Sequence, residues 1–196
     1  MEDVEKEIEE YLIKLKRNLD ALEIGKIIKV VEILYNTYKN NKTVYILGNG
    51  GSPSTASHMA CDLGKGTLKN VYNKNEKRMR VISLNDNIAT MTAYANDLSY
   101  QDIFEHQLRN LVEEGDVVIG ISASGNSPNV IKAIDYANSC GAITIGLLGF
   151  ETGGKLKDLV QHDITVKSKN FGRVEDIHLV LDHIITTCLA KLKHEE

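Results

Sequence analysis

Tryptophan is absent from the 196 residues, and only 2 prolines and 3 cysteines are present. The thiols Cys61, Cys140 and Cys188 are odd in number and far apart, with no CxxC pair, which argues against a disulfide framework and a cysteine-based zinc site. They read as reduced, mostly buried thiols. No stretch approaches the roughly 18 apolar residues of a membrane span, and the opening MEDVEKEIEEY is acidic, without an apolar leader core. A cytoplasmic protein with no membrane partner is expected. Positive charge is in deficit, 23 Lys+Arg against 27 Asp+Glu, and scattered, so there is no electrostatic footprint for direct nucleic-acid binding. Repeats, low-complexity tracts and linker-like stretches are missing too. The chain reads as a single domain over 1–196, long enough to bury roughly 70% of its unfolded surface.

What is present is periodicity. Val4, Ile8, Tyr11, Leu12, Leu15 and Leu19, then Ile24, Ile27, Ile28, Val31, Leu34, Tyr35 and Tyr38, have the spacing of two amphipathic helices within 1–42. Beyond them short apolar runs alternate with helical patterns. Val44 to Leu47, Val81 to Leu84, Val117 to Ile121, Ile143 to Leu148 and Ile164 to Val166 read as strands. Helices are expected at Ser54 to Leu63, Asn87 to Ala95, Asp102 to Val112, Pro128 to Ser139, Gly154 to Val160 and about Val174 to Lys193. The alternation predicts an α/β fold, a parallel sheet with helices on both faces.

Both prolines follow a serine where a strand gives way to a helix: Gly48-Asn49-Gly50-Gly51-Ser52-Pro53 and Ser122-Ala123-Ser124-Gly125-Asn126-Ser127-Pro128. Serine at the cap and proline at the first helical position suit such a start. At the carboxyl ends of parallel strands, glycines, hydroxyls and helix N–H groups together suit an anion such as a phosphate. Pro53 rules out a dinucleotide fingerprint and the missing GK[ST] rules out a P-loop; the plain alternative is a pair of well-capped connections.

His58 and Asp62 lie four apart on one helix face, and Glu175, His178, Asp182 and His183 cluster early in the last helix. Such a set could hold a divalent metal or act as an acid/base pair. Taken singly, each residue is better explained as a polar pair, a first-turn carboxylate or a partly buried histidine. Asn96-Asp97 reads as a helix-ending turn at the same sheet edge.

The ordered set Gly48-Asn49-Gly50-Gly51-Ser52, Ala56-Ser57-His58-Met59-Ala60, Asn96-Asp97, Gly120 through Ser127, and Arg173-Val174-Glu175-Asp176-Ile177-His178 with His183 closely resembles the sugar isomerase (SIS) domain family. Within it, the resemblance is to the phosphoheptose isomerases, which convert sedoheptulose 7-phosphate to D-glycero-D-manno-heptose 7-phosphate. It implies a three-layer sandwich around a five-stranded parallel, flavodoxin-like sheet preceded by two helices. It further implies a homotetramer with sites at subunit boundaries. By position, Ser52, Ser122, Ser124 and Ser127, with Ala123 between them, would hold the sugar phosphate. Asn49, Gly50, Gly51, Asn96 and Asp97 would line the sugar, joined by Asp62 and Glu175. Zinc would be held by His58, Asp62, Glu175 and His183, with Asp62 as base and His183 as acid.

Two of those positions depart from the family: Asp62 stands for its glutamate and Glu175 for its glutamine. Aspartate is one methylene shorter, and a displacement of about 1 Å in a catalytic group can cost on the order of 10²-fold in rate. Two other readings therefore stay open. One is a non-catalytic adaptor similar to the bacterial SIS factor that binds the replication initiator; the other is an isomerase or sensor for a different phosphosugar.

Overall fold

The computed structural model describes residues 1–195. Five aliphatic runs form β1 (Thr43–Gly48), β2 (Arg80–Ser83), β3 (Val117–Ser122), β4 (Ile143–Leu148) and β5 (His162–Thr165). All neighbours are parallel, in the order β2-β1-β3-β4-β5. Strands β1 and β3 are buried along their whole length, as expected of continuous apolar runs covered on both faces.

Alternation along the strands divides the core in two. Val44, Ile46, Ile119 and Ile121 pack under α2 (Ile24–Lys39), α3 (Ser52–Cys61) and α8 (Phe171–His194). Tyr45, Leu47, Val118 and Leu148 pack under the segment around α5 (Glu105–Arg109), α6 (Pro128–Ser139) and α7 (Leu156–Leu159). This is the expected three-layer α/β sandwich. The chain runs from β1 to the β2 edge and then returns to β3 on the other side of β1. The switch point thus lies between β1 and β3, where Gly48 stands level with Ile121. A crevice at the carboxyl ends of such strands is where open α/β sheets bind ligands.

The two leading helices differ in what they bury. On α2, Ile27, Val30, Val31 and Leu34 enter the core, whereas α1 (Glu2–Asp20) has no fully buried residue. Val4, Ile8, Leu12 and Ile13 remain 53, 56, 58 and 52% exposed. The Tyr11 hydroxyl donates to Asp176 at 2.6 Å and the Asn18 amide to the Lys167 carbonyl at 2.6 Å, tethering α1 by polar contacts. No described helix is long and apolar enough to cross a membrane.

Several boundaries differ from the periodicity. The helix expected from Asp102 to Val112 is broken into a 3-10 turn over Tyr100–Asp102 and the short α5. Asp102 accepts from the Ser99 hydroxyl at 2.5 Å and pairs with Lys132 of α6 at 2.7 Å, which holds it out of a continuous helix. The segment expected at Gly154 to Val160 shortens to α7. In the other direction, α8 starts three residues early because the Asn170 side chain caps it, accepting the Arg173 N–H. Asn96 and Asp97 do not follow α4 (Ile88–Asp97) but are its last two residues. The thiols are free, as expected, yet Cys61 and Cys188 are exposed and Cys140 half-buried. Helical phase turns the first two outward from α3 and α8.

Candidate functional site

The two serine-rich turns meet at the switch point. Asn49 and Asn129, at the foot of α6, exchange amide hydrogen bonds of 2.6 and 2.9 Å. The Tyr100 hydroxyl also donates to Asn49 at 2.9 Å. Asn85 braces the first turn from β2, accepting the Gly48 N–H at 3.1 Å and donating to the Gly48 carbonyl at 3.0 Å. Asn85, Tyr100 and Asn129 were not singled out by sequence. Only Asn129 carried a signal, being the polar residue directly after the Ser-Pro pair.

Neither serine acts as a side-chain cap. Ser52 is the first residue of α3 rather than its cap; its N–H closes onto the Asn49 carbonyl at 3.1 Å, so the helix begins a residue early and Gly51 becomes the cap. Ser127 does occupy the cap of α6, but its hydroxyl makes no capping bond and lies 3.2 Å from the Ser122 hydroxyl. Capping is what makes serine useful in an ordinary connection, and here that use is unmade. The second turn is also braced from behind: Ser122 accepts the Gly125 N–H at 3.1 Å, and Ser124 the Asn126 N–H at 3.2 Å. Gly125 has φ +62°, and a Cβ there would lie 1.8 Å from the Gly153 carbonyl oxygen. Only glycine lets the loop after β4 press so closely on this turn. Ala123 is buried between Ser122 and Ser124.

The second constellation joins α3 to α8. His58 Nε2 lies 3.1 Å from His183 Nε2 and 3.4 Å from Asp62 Oδ2, which is 3.8 Å from His183 Nε2. Asp62 opens a single π-helical turn, Asp62–Gly66, that continues α3. Such widened turns are frequent at functional sites. Asp182 completes the group: His58, Asp62, Asp182 and His183 each offer a donor atom within 4.8 Å of all the others. Burial and then the Asp62 charge push the Asp182 carboxyl up to about 6. Four residues before it, His178 is also buried; its Nε2 lies 3.1 Å from the Leu148 carbonyl and desolvation pushes it down to about 4, a neutral structural imidazole.

Glu175 is not brought to this cluster. Its carboxylate lies over the first turn, 2.8 Å from where a Cβ on Gly51 would stand. It therefore borders the crevice at the switch point, with Gly50 exposed beside it. Asn96 and Asp97 are exposed and hydrogen-bonded to each other at 2.9 Å.

The geometry of the donor set suits zinc. Zinc bonds of roughly 2.0–2.1 Å place tetrahedral donors roughly 3.3 Å apart, close to the separations of 3.1, 3.4 and 3.8 Å among His58, Asp62 and His183. Imidazole nitrogen and carboxylate oxygen are suitable ligands. Moreover, Asp182 Oδ2 is buried with no hydrogen-bond partner among the described residues, an atom a cation would satisfy. The residues fit a divalent metal.

Comparison with known proteins agrees with the fold. The family described as SIS domain matches residues 9–149, a span that ends before α8. A protein named phosphoheptose isomerase from Helicobacter pylori (strain P12) is 35% identical over 188 residues, covering 96% of this chain and 94% of its own. One of the same name from Clostridium acetobutylicum is 36% identical over 172 residues, covering 88% and 85%. The phosphoheptose isomerase structure from Neisseria gonorrhoeae superimposes with TM-score 0.86 at 25% identity, over 96% of this chain and 99% of that one.

Proposed function

The chain belongs to the SIS domain family, in its phosphoheptose isomerase branch, and from that premise we propose that it interconverts sedoheptulose 7-phosphate and D-glycero-D-manno-heptose 7-phosphate for heptose biosynthesis. The observation that carries the reading is that the first serine turn opens α3, the helix that carries His58 and continues into the π-helical turn of Asp62, with His183 of α8 3.1 Å from His58.

In this reading the phosphate lies among Ser52, Ser122, Ser124 and Ser127, with Ala123 forming the floor and the starts of α3 and α6 favouring its charge. The heptose extends past Asn49, Gly50, Gly51 and Glu175, with Asn96 and Asp97 at the outer rim. Asp62 takes a proton from C1, the C–H electron pair becomes the C1–C2 double bond, and the C2 carbonyl oxygen takes a proton from His183. Return of a proton from Asp62 to C2, with loss of the O1 proton to His183, leaves an aldehyde at C1. His58, Asp62 and His183 would hold a zinc ion or similar divalent cation, which when bound would polarise the sugar oxygens.

The protein acts as one SIS domain over 1–196, in the cytoplasm, as a homotetramer with sites at subunit boundaries. The apolar face supports this reading: Ile24, Ile27, Ile28, Val31, Ile184 and Leu192 line a groove of about 400 Å³. Ile184 follows His183, whose side chain is 53% exposed. Light scattering at micromolar concentration checks the assembly; a monomer would remove shared sites.

The decisive experiment is turnover of sedoheptulose 7-phosphate with and without added zinc, against Asp62→Asn and His183→Ala. Metal-stimulated product lost in both variants supports the reading. Binding without turnover points to another phosphosugar, and neither binding nor turnover points to an adaptor.

A further inference from the structure

We propose that Asp182 is a direct ligand of the divalent cation in this chain, and that the cation is held by His58, Asp62, Asp182 and His183 while Glu175 serves the sugar turn instead. The inference rests on the metal reading above and is independent of which sugar is turned over.

Asp182 is 0% exposed. Among the described residues its Oδ2 has no hydrogen-bond partner, and its Oδ1 receives only a long 3.4 Å contact from the Thr186 hydroxyl. A carboxylate so enclosed needs a partner, since burying an unpaired charge is strongly unfavourable. The groups that face it are the Asp62 carboxylate, of the same sign, and the imidazoles of His58 and His183. The same two histidines are the ion-pairing partners of Asp62. Two carboxylates and two imidazoles within 4.8 Å of one another are satisfied together by a doubly charged cation, which balances both carboxylates.

Position along α8 separates the two acidic candidates. Glu175 precedes Asp182 by seven residues, a displacement of roughly 10 Å along the axis at 1.5 Å per residue. Its carboxylate lies against Gly51, 2.8 Å from where a Cβ there would stand. Asp182 instead shares the inward stripe of α8 with Ile177, His178, Leu181, Ile185 and Leu189, so it reaches the α3 donors from the core side while His183 reaches them from the surface.

The test measures metal rather than turnover. Protein stripped with a chelator is reloaded with zinc, and affinity is read by competition with a chromophoric chelator; cobalt(II) replaces zinc for the absorption spectrum. Asp182→Asn is expected to lose at least about tenfold in zinc affinity, to change the cobalt spectrum, and to lose the zinc-induced rise in melting temperature. Glu175→Gln is expected to keep all three near wild type. Unchanged zinc affinity and cobalt spectrum in Asp182→Asn, a loss confined to Glu175→Gln, or no zinc bound by the wild type would each overturn the proposal. If Asp182→Asn does not fold, a structure of the zinc-loaded wild-type protein decides by whether an Asp182 oxygen lies at roughly 2.0–2.2 Å from the metal. Wild-type protein that binds zinc through Asp182 yet turns over no sedoheptulose 7-phosphate would leave this inference standing and remove the isomerase reading.

Discussion

Asn49 and Asn129 face each other across the switch point and exchange two side-chain amide hydrogen bonds, of 2.6 and 2.9 Å. They stand 80 residues apart in the chain, yet this pair sets the distance between the two turns proposed to share one phosphate. Asn129 is 2% exposed and its Oδ1 also accepts the Val130 N–H at 2.9 Å, so its orientation is held from the α6 side.

Asn129→Ala is expected to lower stability by about 1–3 kcal/mol, because it leaves Asn49 short of partners, and to raise KM for the sugar phosphate more than it lowers kcat. Chemical denaturation and steady-state kinetics check the two halves separately. A variant with altered stability and unchanged KM would show that the turns keep their spacing without the pair.

Gly51 has an ordinary helical backbone, φ −77° and ψ −27°, which alanine adopts readily. What alanine cannot avoid is the Glu175 carboxylate, 2.8 Å from its Cβ. Gly51→Ala is therefore expected to fold with stability within about 0.5 kcal/mol of wild type. Because Glu175 must move, kcat/KM should fall by on the order of 10²-fold. Full activity in this variant would take Glu175 out of the substrate site.

Ser127 offers a clean probe of the phosphate, since its hydroxyl caps nothing. Losing one hydrogen bond to a charged group costs about 1.5–3 kcal/mol, so Ser127→Ala should weaken binding of the phosphorylated sugar about 10- to 100-fold. Binding of unphosphorylated sedoheptulose should not change. Titration calorimetry with both sugars gives the comparison.

His178 supplies a pH dependence of known sign. Its folded pKa of about 4 lies below the ordinary 6.5, so the folded state holds it neutral while the unfolded chain takes up a proton. Its contribution to stability is fully present above pH 6.5 and is lost as pH falls from 6.5 toward 4, by up to about 3 kcal/mol at 1.36 kcal/mol per unit. Asp182, with a raised pKa, acts in the opposite direction in metal-free protein, but it is present in wild type and His178→Gln alike. The difference between their denaturation curves, measured across pH 4–7, isolates His178. A difference that stays flat over that range would mean that the imidazole is already charged or already open to water.

Local chemistry placed most of the architecture. Continuous aliphatic runs marked β1, β3 and β4 because strands covered on both faces have no polar side, and the Ser-Pro pairs located the two turns at strand ends. The spacing of His58 and Asp62 placed them on one helix face because 3.6-residue periodicity is a property of the helix itself. What the sequence could not decide was which part of α8 meets α3, since that depends on how two helices 125 residues apart pack over the sheet. Glu175 and Asp182 are both acidic and both close to His183 in the chain, but the packing sends Glu175 to the Gly51 backbone and turns Asp182 into the core beside the histidines. One signal of this was on the page: a carboxylate at Asp182, in register with the buried stripe of an amphipathic helix, has no place there without a partner of opposite charge. The sequence by itself determined the fold class and the strand ends, which follow from short-range periodicity and turn composition, and it carried the ordered motifs by which the chain resembles its family. Only the tertiary structure decided the neighbours of each donor atom, because those contacts are made between residues that no local rule relates.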